Sequence, residues 1–356
     1  MDDPTKPSLA TIPENLMQKI IDDCDYPSIA LTFNTKTFCA SLHKINHSLR
    51  NFIHETIPKC TIHKVHLLFE GTKLNLNIHV NGNQEPYPDG GELSLCYRAD
   101  GLDTLVNGKV EKRLINTDAN QLVLNAFFSI LKHQKSPMEC FEVGEDDASA
   151  EFSLSSFYEK MRLANQSATI QAMELCFNGP GCQELTQIMA LMYPQVLTKI
   201  TILRELELSN ELFQMKQWRQ CREFRSATYG SNLASLMHFE KVNTSTGRFW
   251  IADVHFMRRD LLRAGPPKHF RFNCPFFEIM EYVLRLGPSY QDGHMHRWFY
   301  TSAASDQVLQ LMIQEEQNEP DAHSLLEYKY IPRWKVPDQG VIKDWRPMLP
   351  VHVYGN

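Results

Sequence analysis

No two of the nine cysteines stand in a C-x-x-C pair, and their number is odd. Spread singly from Cys24 to Cys274, they read as reduced, mostly buried thiols of a cytoplasmic or nuclear protein, not as a disulfide framework or a metal knuckle. No apolar run approaches the roughly 18 residues of a membrane span. The opening Met1–Ser8 stretch is acidic and contains proline, the opposite of a signal peptide. A long basic run is also missing; net charge is -6 and the sequence pI about 6.2, so the electrostatic footprint of a nucleic-acid binder is lacking.

Catalytic signatures are equally scarce. There is no G-x-S-x-G and no family-type cysteine motif. Gly179-Pro180-Gly181 lacks the Gly-Lys-Ser/Thr ending of a P-loop, and its proline removes an N–H that phosphate binding would use, so it reads as a strand-to-helix turn. Among fourteen histidines only His294-Met295-His296 forms a tight cluster, with no matching Cys or carboxylate set beside it. Glu145-Asp146-Asp147 reads as a solvated acidic loop, and Arg258-Arg259 with Arg263, with Lys268 and Arg271 nearby, as a solvated helix face or, in the alternative, a contact for an acidic or phosphorylated substrate. These absences lead to a non-enzymatic reading that calls for no metal and no cofactor. An unrecognised enzyme rests only on scattered His and Cys.

What is present is a soluble-type composition, 43% hydrophobic and 22% charged over 356 residues, enough for two or three domains. After a flexible 1–10 start, residues 11–57 carry more apolar helix surface than they can bury alone. Pro13 suits a first helical turn. Leu16, Met17, Ile20, Ile21 and Cys24 follow at helical spacing, and Tyr26-Pro27-Ser28 breaks that helix. Phe38, Leu42, Ile45, Leu49 and Phe52 then share one face of another helix, which Pro58 stops.

Residues 60–120 change period. Val65, Leu67 and Phe69, then Leu74, Leu76, Ile78 and Val80, alternate with polar positions and predict a hairpin about Glu70-Gly71. Leu93–Tyr97 predicts a third strand, and Asn107-Gly108 a further small hairpin. From residue 121 helices and strands alternate: a helix over Leu122–Leu131, strand Met138–Val143, helix Phe152–Leu163, strand Ile170–Phe177, a helix from Leu185 to Met192, strand Leu197–Leu203. Weaker strands at Cys221–Tyr229 and Phe239–Thr244 precede a helix at Ile251–Leu262 and strand His269–Cys274. Strand centres recur at roughly 20 to 33 residues, the spacing of repeats with one strand and one helix each. An ordinary α/β domain with coincidental spacing fits the same pattern. Beyond, Phe276–Leu284 and Val308–Ile313 predict helices, and Tyr328–Tyr354 an extended strap or docked peptide.

Two sets of residues carry a resemblance. Ile12-Pro13 with Leu16 and Ile20, a break, then Lys44–Ile53 resembles an F-box, with about ten further residues around Thr32–Leu42 and Asn46 where that motif usually has Cys. Phe128–Met138 and Leu212–Phe224 resemble segments of the FTH domain that follows the F-box in a large nematode-type F-box family. That resemblance implies an F-box at 11–57 that binds a Skp-family adaptor and, through it, a cullin scaffold. It also implies an FTH-like domain at 121–300 that chooses a substrate protein for ubiquitination. Ile12, Pro13, Leu16, Ile20, Leu31, Ile45 and Leu49 are the expected adaptor-facing residues. The whole reads as α+β: an N-terminal helical F-box, a short antiparallel β region at 60–120, an alternating α/β leucine-rich-repeat-like solenoid, and a C-terminal helix and tail at 301–356. A binding scaffold whose helical module packs internally, without an adaptor, is the alternative.

Overall fold

The computed structural model describes residues 61–81, 91–100, 103–107, 112–114, 120, 122–124, 127–128, 131, 134, 136–147, 153–164, 169–230, 233–247, 249–274, 279–301, 305–314 and 324–344. The chain divides into two units, Met1–Met173 with Leu191–Tyr193, and Glu174–Ala190 with Pro194–Asn356. Residues 11–57, with all seven expected adaptor-facing positions, lie outside the described residues.

In the first unit, alternation makes β1 (Thr61–Glu70) a half-buried strand: Val65, Leu67 and Phe69 are fully buried while His66 and Leu68 are part-exposed. Glu70 faces Lys73 across a two-residue turn, where Gly71 takes the positive φ of +54° that L side chains avoid. That turn feeds β2 (Lys73–Asn81), which pairs antiparallel with β1 and buries Leu74, Leu76 and Ile78. The strands β3 (Gly91–Asp100), β4 (Asp103–Asn107) and β5 (Lys112–Leu114) continue as an antiparallel meander. On its other edge β1 pairs in parallel with β6 (Met138–Asp147). The buried face is covered by α1 (Leu154–Ala164), through Leu154, Phe157 and Met161, and by the helical residues Val123, Leu124 and Phe127. Ring pairs tie the layers: Phe69 meets Phe157 edge-on at 5.6 Å, and Phe127 lies 5.7 Å from Phe141 and 5.9 Å from Phe157.

The second unit is built on a mixed sheet. The strands β7 (Ala172–Asn178), β8 (Lys199–Ile202), β9 (Glu223–Ser226), β10 (Lys241–Ser245) and β11 (His269–Cys274) lie side by side in chain order, all parallel. Then the direction reverses. β15 (Ser324–Pro332) pairs antiparallel with β11, followed by β14 (Gln307–Gln314), β13 (Met295–Thr301) and β12 (Tyr290–Asp292), with β16 (Ile342–Asp344) parallel to β13. A single cross-strand row, Leu175, Ile200, Phe224, Val242, Phe270, Tyr328, Leu311 and Trp298, runs through the buried face with no member above 2% exposure.

Helices cover that row: α2 (Cys182–Leu191), the short α3 (Asn210–Gln214) and α4 (Lys216–Gln220), α5 (Ile251–Ala264) and α6 (Ile279–Leu286). The start of α5 is set by Asp253, whose carboxylate accepts the Trp250 N–H at 2.8 Å, and its end by Gly265 at φ +74°, whose N–H reaches Leu261 O at 2.9 Å. Aromatic hydroxyls and an indole tie sheet and helices through backbone carbonyls: Tyr328 Oη donates to Val254 O at 3.3 Å, Tyr330 Oη to Leu261 O at 2.8 Å and Trp298 Nε1 to Gly287 O at 2.8 Å.

The expected fold class is overturned. The described residues form sixteen strands in mixed sheets with fewer helices than strands, in place of a short antiparallel region followed by a leucine-rich-repeat-like solenoid. Strand β1 is both the hairpin partner of β2 and the parallel neighbour of β6, so its pairing is not antiparallel alone. Residues 307–314, expected as a helix, are β14. Val308, Leu309, Leu311, Met312 and Ile313 are buried on both faces of the sheet, and a short apolar run gives a strand and a buried helix the same signature.

Trp218 on α4 anchors the helical layer. Its ring lies 5.1 Å from both Phe224 and Phe239 and 5.4 Å from Phe213, and its Nε1 donates to Ser235 O at 3.4 Å. Trp218→Ala should therefore lower stability in urea by about 3–5 kcal/mol. The exposed Trp334 serves as the control, with a loss below about 1 kcal/mol.

Candidate partner-binding face

The period of two that buries Phe224, Val242 and Phe270 turns their neighbours to the opposite face of the second unit's sheet. One row across that face is Glu174, Lys199, Glu223, Lys241, His269 and Lys329. Its charges cancel locally: Lys199 Nζ lies 2.8 Å from Glu174, Lys241 binds Glu223, and Thr201 Oγ1 donates to Glu174 at 2.7 Å. Glu327 of β15, 7% exposed, accepts from His269 Nε2 at 2.8 Å and from Lys329 Nζ at 2.7 Å.

The next row is Cys176, Thr201, Arg225, Asn243, Arg271 and Glu327. Arg225, Asn243 and Arg271 are exposed, and among the described residues neither arginine forms an ion pair. With Lys199, Lys241 and Lys329 neutralised by Glu174, Glu223 and Glu327, these two guanidinium groups leave the face cationic. Where the parallel strands end, a pocket of about 300 Å³ is lined by Thr201, Leu203, Arg225, Asn243, Ser245 and Asn273 among others. Leu203 is 48% exposed at this pocket, whose wall also includes Ile202 and Ala227 and so is part polar and part apolar. Ser226 Oγ and Thr244 Oγ1, 2.6 Å apart, link β9 to β10 beneath it.

This face offers hydrogen-bond donors, cations and apolar contact, the ingredients of recognition. Two thiols elsewhere in the unit, Cys221 and Cys274, are pushed up to about 12 by burial, which keeps them protonated. Among the described residues no group of three or more His, Cys, Asp or Glu side chains is arranged to hold a metal ion. No described helix is long and apolar enough to cross a membrane.

Other sequence-marked residues fall elsewhere. His296 on β13 shares a hydrogen bond with Ser289 Oγ at 2.9 Å, whereas His294 is exposed before the strand. Gly179 stands where strand β7 turns toward α2, and a Cβ there would meet the Phe177 ring at 2.3 Å. Glu145 belongs to no solvated loop: 3% exposed at the end of β6, it accepts the Leu154 N–H at 3.3 Å, at the positive end of α1. Arg258 leaves the expected solvated face as well, lying 4.9 Å above the Tyr300 ring, while Arg259 and Arg263 pair with Asp260. Sequence reading marked Arg271 only as a neighbour of the basic helix, and missed Arg225, Asn243 and the row as a unit, because its members sit on three strands joined only by register. Its faint signal is the alternation in Phe224-Arg225-Ser226, Val242-Asn243-Thr244 and Phe270-Arg271-Phe272.

Residues 156–287 match the family model of the FTH domain. That span contains β7 to β11, the two arginines and the Leu212–Phe224 segment singled out by resemblance; Phe128–Met138 lies outside it. No curated protein and no solved structure matches the chain. The FTH domain is consistent with a protein-interaction role, and the open face lies within it but for the β15 residues.

Burial alone would raise the Glu327 carboxyl, but hydrogen bonds and charge from His269 and Lys329 overcome it and hold the group down to about 2. A depressed carboxylate contributes stability that is complete above its ordinary 4.5 and is lost as pH falls toward 2. Glu327→Gln should remove most of that acid dependence, on the order of 2 kcal/mol across the window. Urea midpoints of both proteins at neutral and acid pH check this, the variant showing the smaller drop.

Proposed function

We propose that the chain is a non-catalytic substrate receptor of a Skp–cullin–F-box ubiquitin ligase. In this reading residues 11–57 bind a Skp-family adaptor, and the FTH sheet holds the protein to be ubiquitinated. The observation that carries the substrate half is the FTH match over residues 156–287, which contains the open cationic strands and the pocket at their ends. The adaptor half rests on the F-box resemblance of Ile12, Pro13, Leu16, Ile20, Leu31, Ile45 and Leu49. Work in the cytoplasm or nucleus suits both halves, since the partners are proteins and the unlinked cysteines need a reducing compartment.

Chemistry then belongs to the assembly, and this chain contributes proximity. It brings a bound protein to the transferring machinery, raising the effective concentration of its lysines without forming a covalent bond itself. Affinity purification of the tagged chain, with mass identification of what accompanies it, should recover a Skp-family adaptor and a cullin. Leu16→Arg with Ile20→Arg should reduce adaptor recovery about ten-fold or more, because each places a charge in an apolar interface core. Recovery that is unchanged in the double variant would sink the adaptor half.

A further inference from the structure

We infer that the Arg225–Asn243–Arg271 row docks an extended acidic protein segment bearing two carboxylates three residues apart, a specificity that rests on the substrate-receptor reading above. The argument begins with charge. Lys199, Lys241 and Lys329 each have a carboxylate partner on the same face, in Glu174, Glu223 and Glu327. Arg225 and Arg271 stay exposed outside these pairs. Arg271 faces Glu327 across the β11–β15 pair, but that carboxylate is held by His269 and Lys329, and among the described residues neither arginine forms an ion pair; two carboxylates, each able to bind a guanidinium through two parallel hydrogen bonds, match them.

Spacing narrows the match. Arg225 and Arg271 are in register with Asn243 between them, so their backbones are two strand spacings apart, about 10 Å. A peptide in the extended polyproline-II conformation has three residues per turn and advances about 3.1 Å per residue, so side chains three residues apart share one face and span about 9 Å, close to the separation of the two arginines. Acidic residues one or two positions closer fall short of that span. Asn243, exposed at the centre, carries both an amide donor and an acceptor and suits the peptide unit passing between the two carboxylates. Such a peptide crosses the strands, and the pocket bordered by Leu203 and Asn273 lies beside its path, able to take a neighbouring side chain.

A nucleic acid is disfavoured by the same bookkeeping. Its evenly spaced phosphates call for a continuous cationic track, whereas the adjoining row is neutralised pair by pair.

The test uses the purified full chain and fluorescein-labelled degenerate peptides read by anisotropy. One pool fixes Glu-x-x-Glu, a second Glu-x-Glu, a third Gln-x-x-Gln, and a fourth a single phosphoserine. The Glu-x-x-Glu pool should bind about ten-fold or more tighter than the Gln pool, and measurably tighter than the Glu-x-Glu and phosphoserine pools. Arg225→Ala with Arg271→Ala should abolish the preference, while Lys199→Ala with Lys241→Ala leaves it intact. Should the arginine variant lose its cooperative melt, Asn243→Asp reads the same question from an exposed site, and it should weaken the Glu-x-x-Glu pool most. Equal binding of the Gln pool, a stronger phosphoserine pool, a preference that survives Asn243→Asp, or no binding of any pool would each overturn the inference. Adaptor recovery is scored in parallel: loss of adaptor with peptide preference retained counts against the F-box alone, and the reverse counts against this docking site alone.

Discussion

Register between parallel strands is the constraint on which the second unit depends. Phe224, Val242 and Phe270 face one another because each lies opposite the next on the inner side, and burying such side chains is worth about 2 kcal/mol apiece. A slip of one residue in any strand would bring an arginine or asparagine inward and push a phenylalanine out. The apolar row therefore does two things at once. It holds the sheet to its helices, and it fixes the positions of the polar residues on the other side with the accuracy of a backbone ladder.

Much of the strand and helix content is visible in the sequence because each element carries its own period. The β1–β2 hairpin, the strands from β6 to β11 and helices α1, α2, α5 and α6 follow from the spacing of their apolar residues and, at the hairpin, from Gly71 as punctuation. Pairing between distant segments has no such local cause. Nothing in residues 61–70 announces that β1 will run parallel to β6, and nothing in Ser324–Pro332 announces that it will close the edge of β11. Buried strands are the second blind spot, as β14 shows. Burial of charge is the third: the acidic run at 145–147 looks solvated until the start of α1 is brought to Glu145.

The candidate face was hidden for the same reason as the topology. Arg225 and Arg271 lie far apart in sequence and each looks like an ordinary outward residue of a half-buried strand. Their common setting, exposed on one face between neutralised neighbours, exists only after four strands align. The binding surface is thus a product of pairing, whereas the expected adaptor contacts at 11–57 are a linear motif. The two proposed halves of the protein would be read by partners in different ways, one as a short apolar signature and the other as an assembled array.

The position of β15 has a consequence for how the chain is made. Strands β7 to β11 can align as soon as residue 274 is synthesised, yet the free side of β11 gains its neighbour only when Ser324–Pro332 follows. During that interval a ribosome-bound chain displays an unpaired, Phe-rich edge, the kind of surface that recruits other nascent strands. A holding chaperone acting between those two points of translation would protect the unit at its most vulnerable stage, and the last long strand would serve as its release signal.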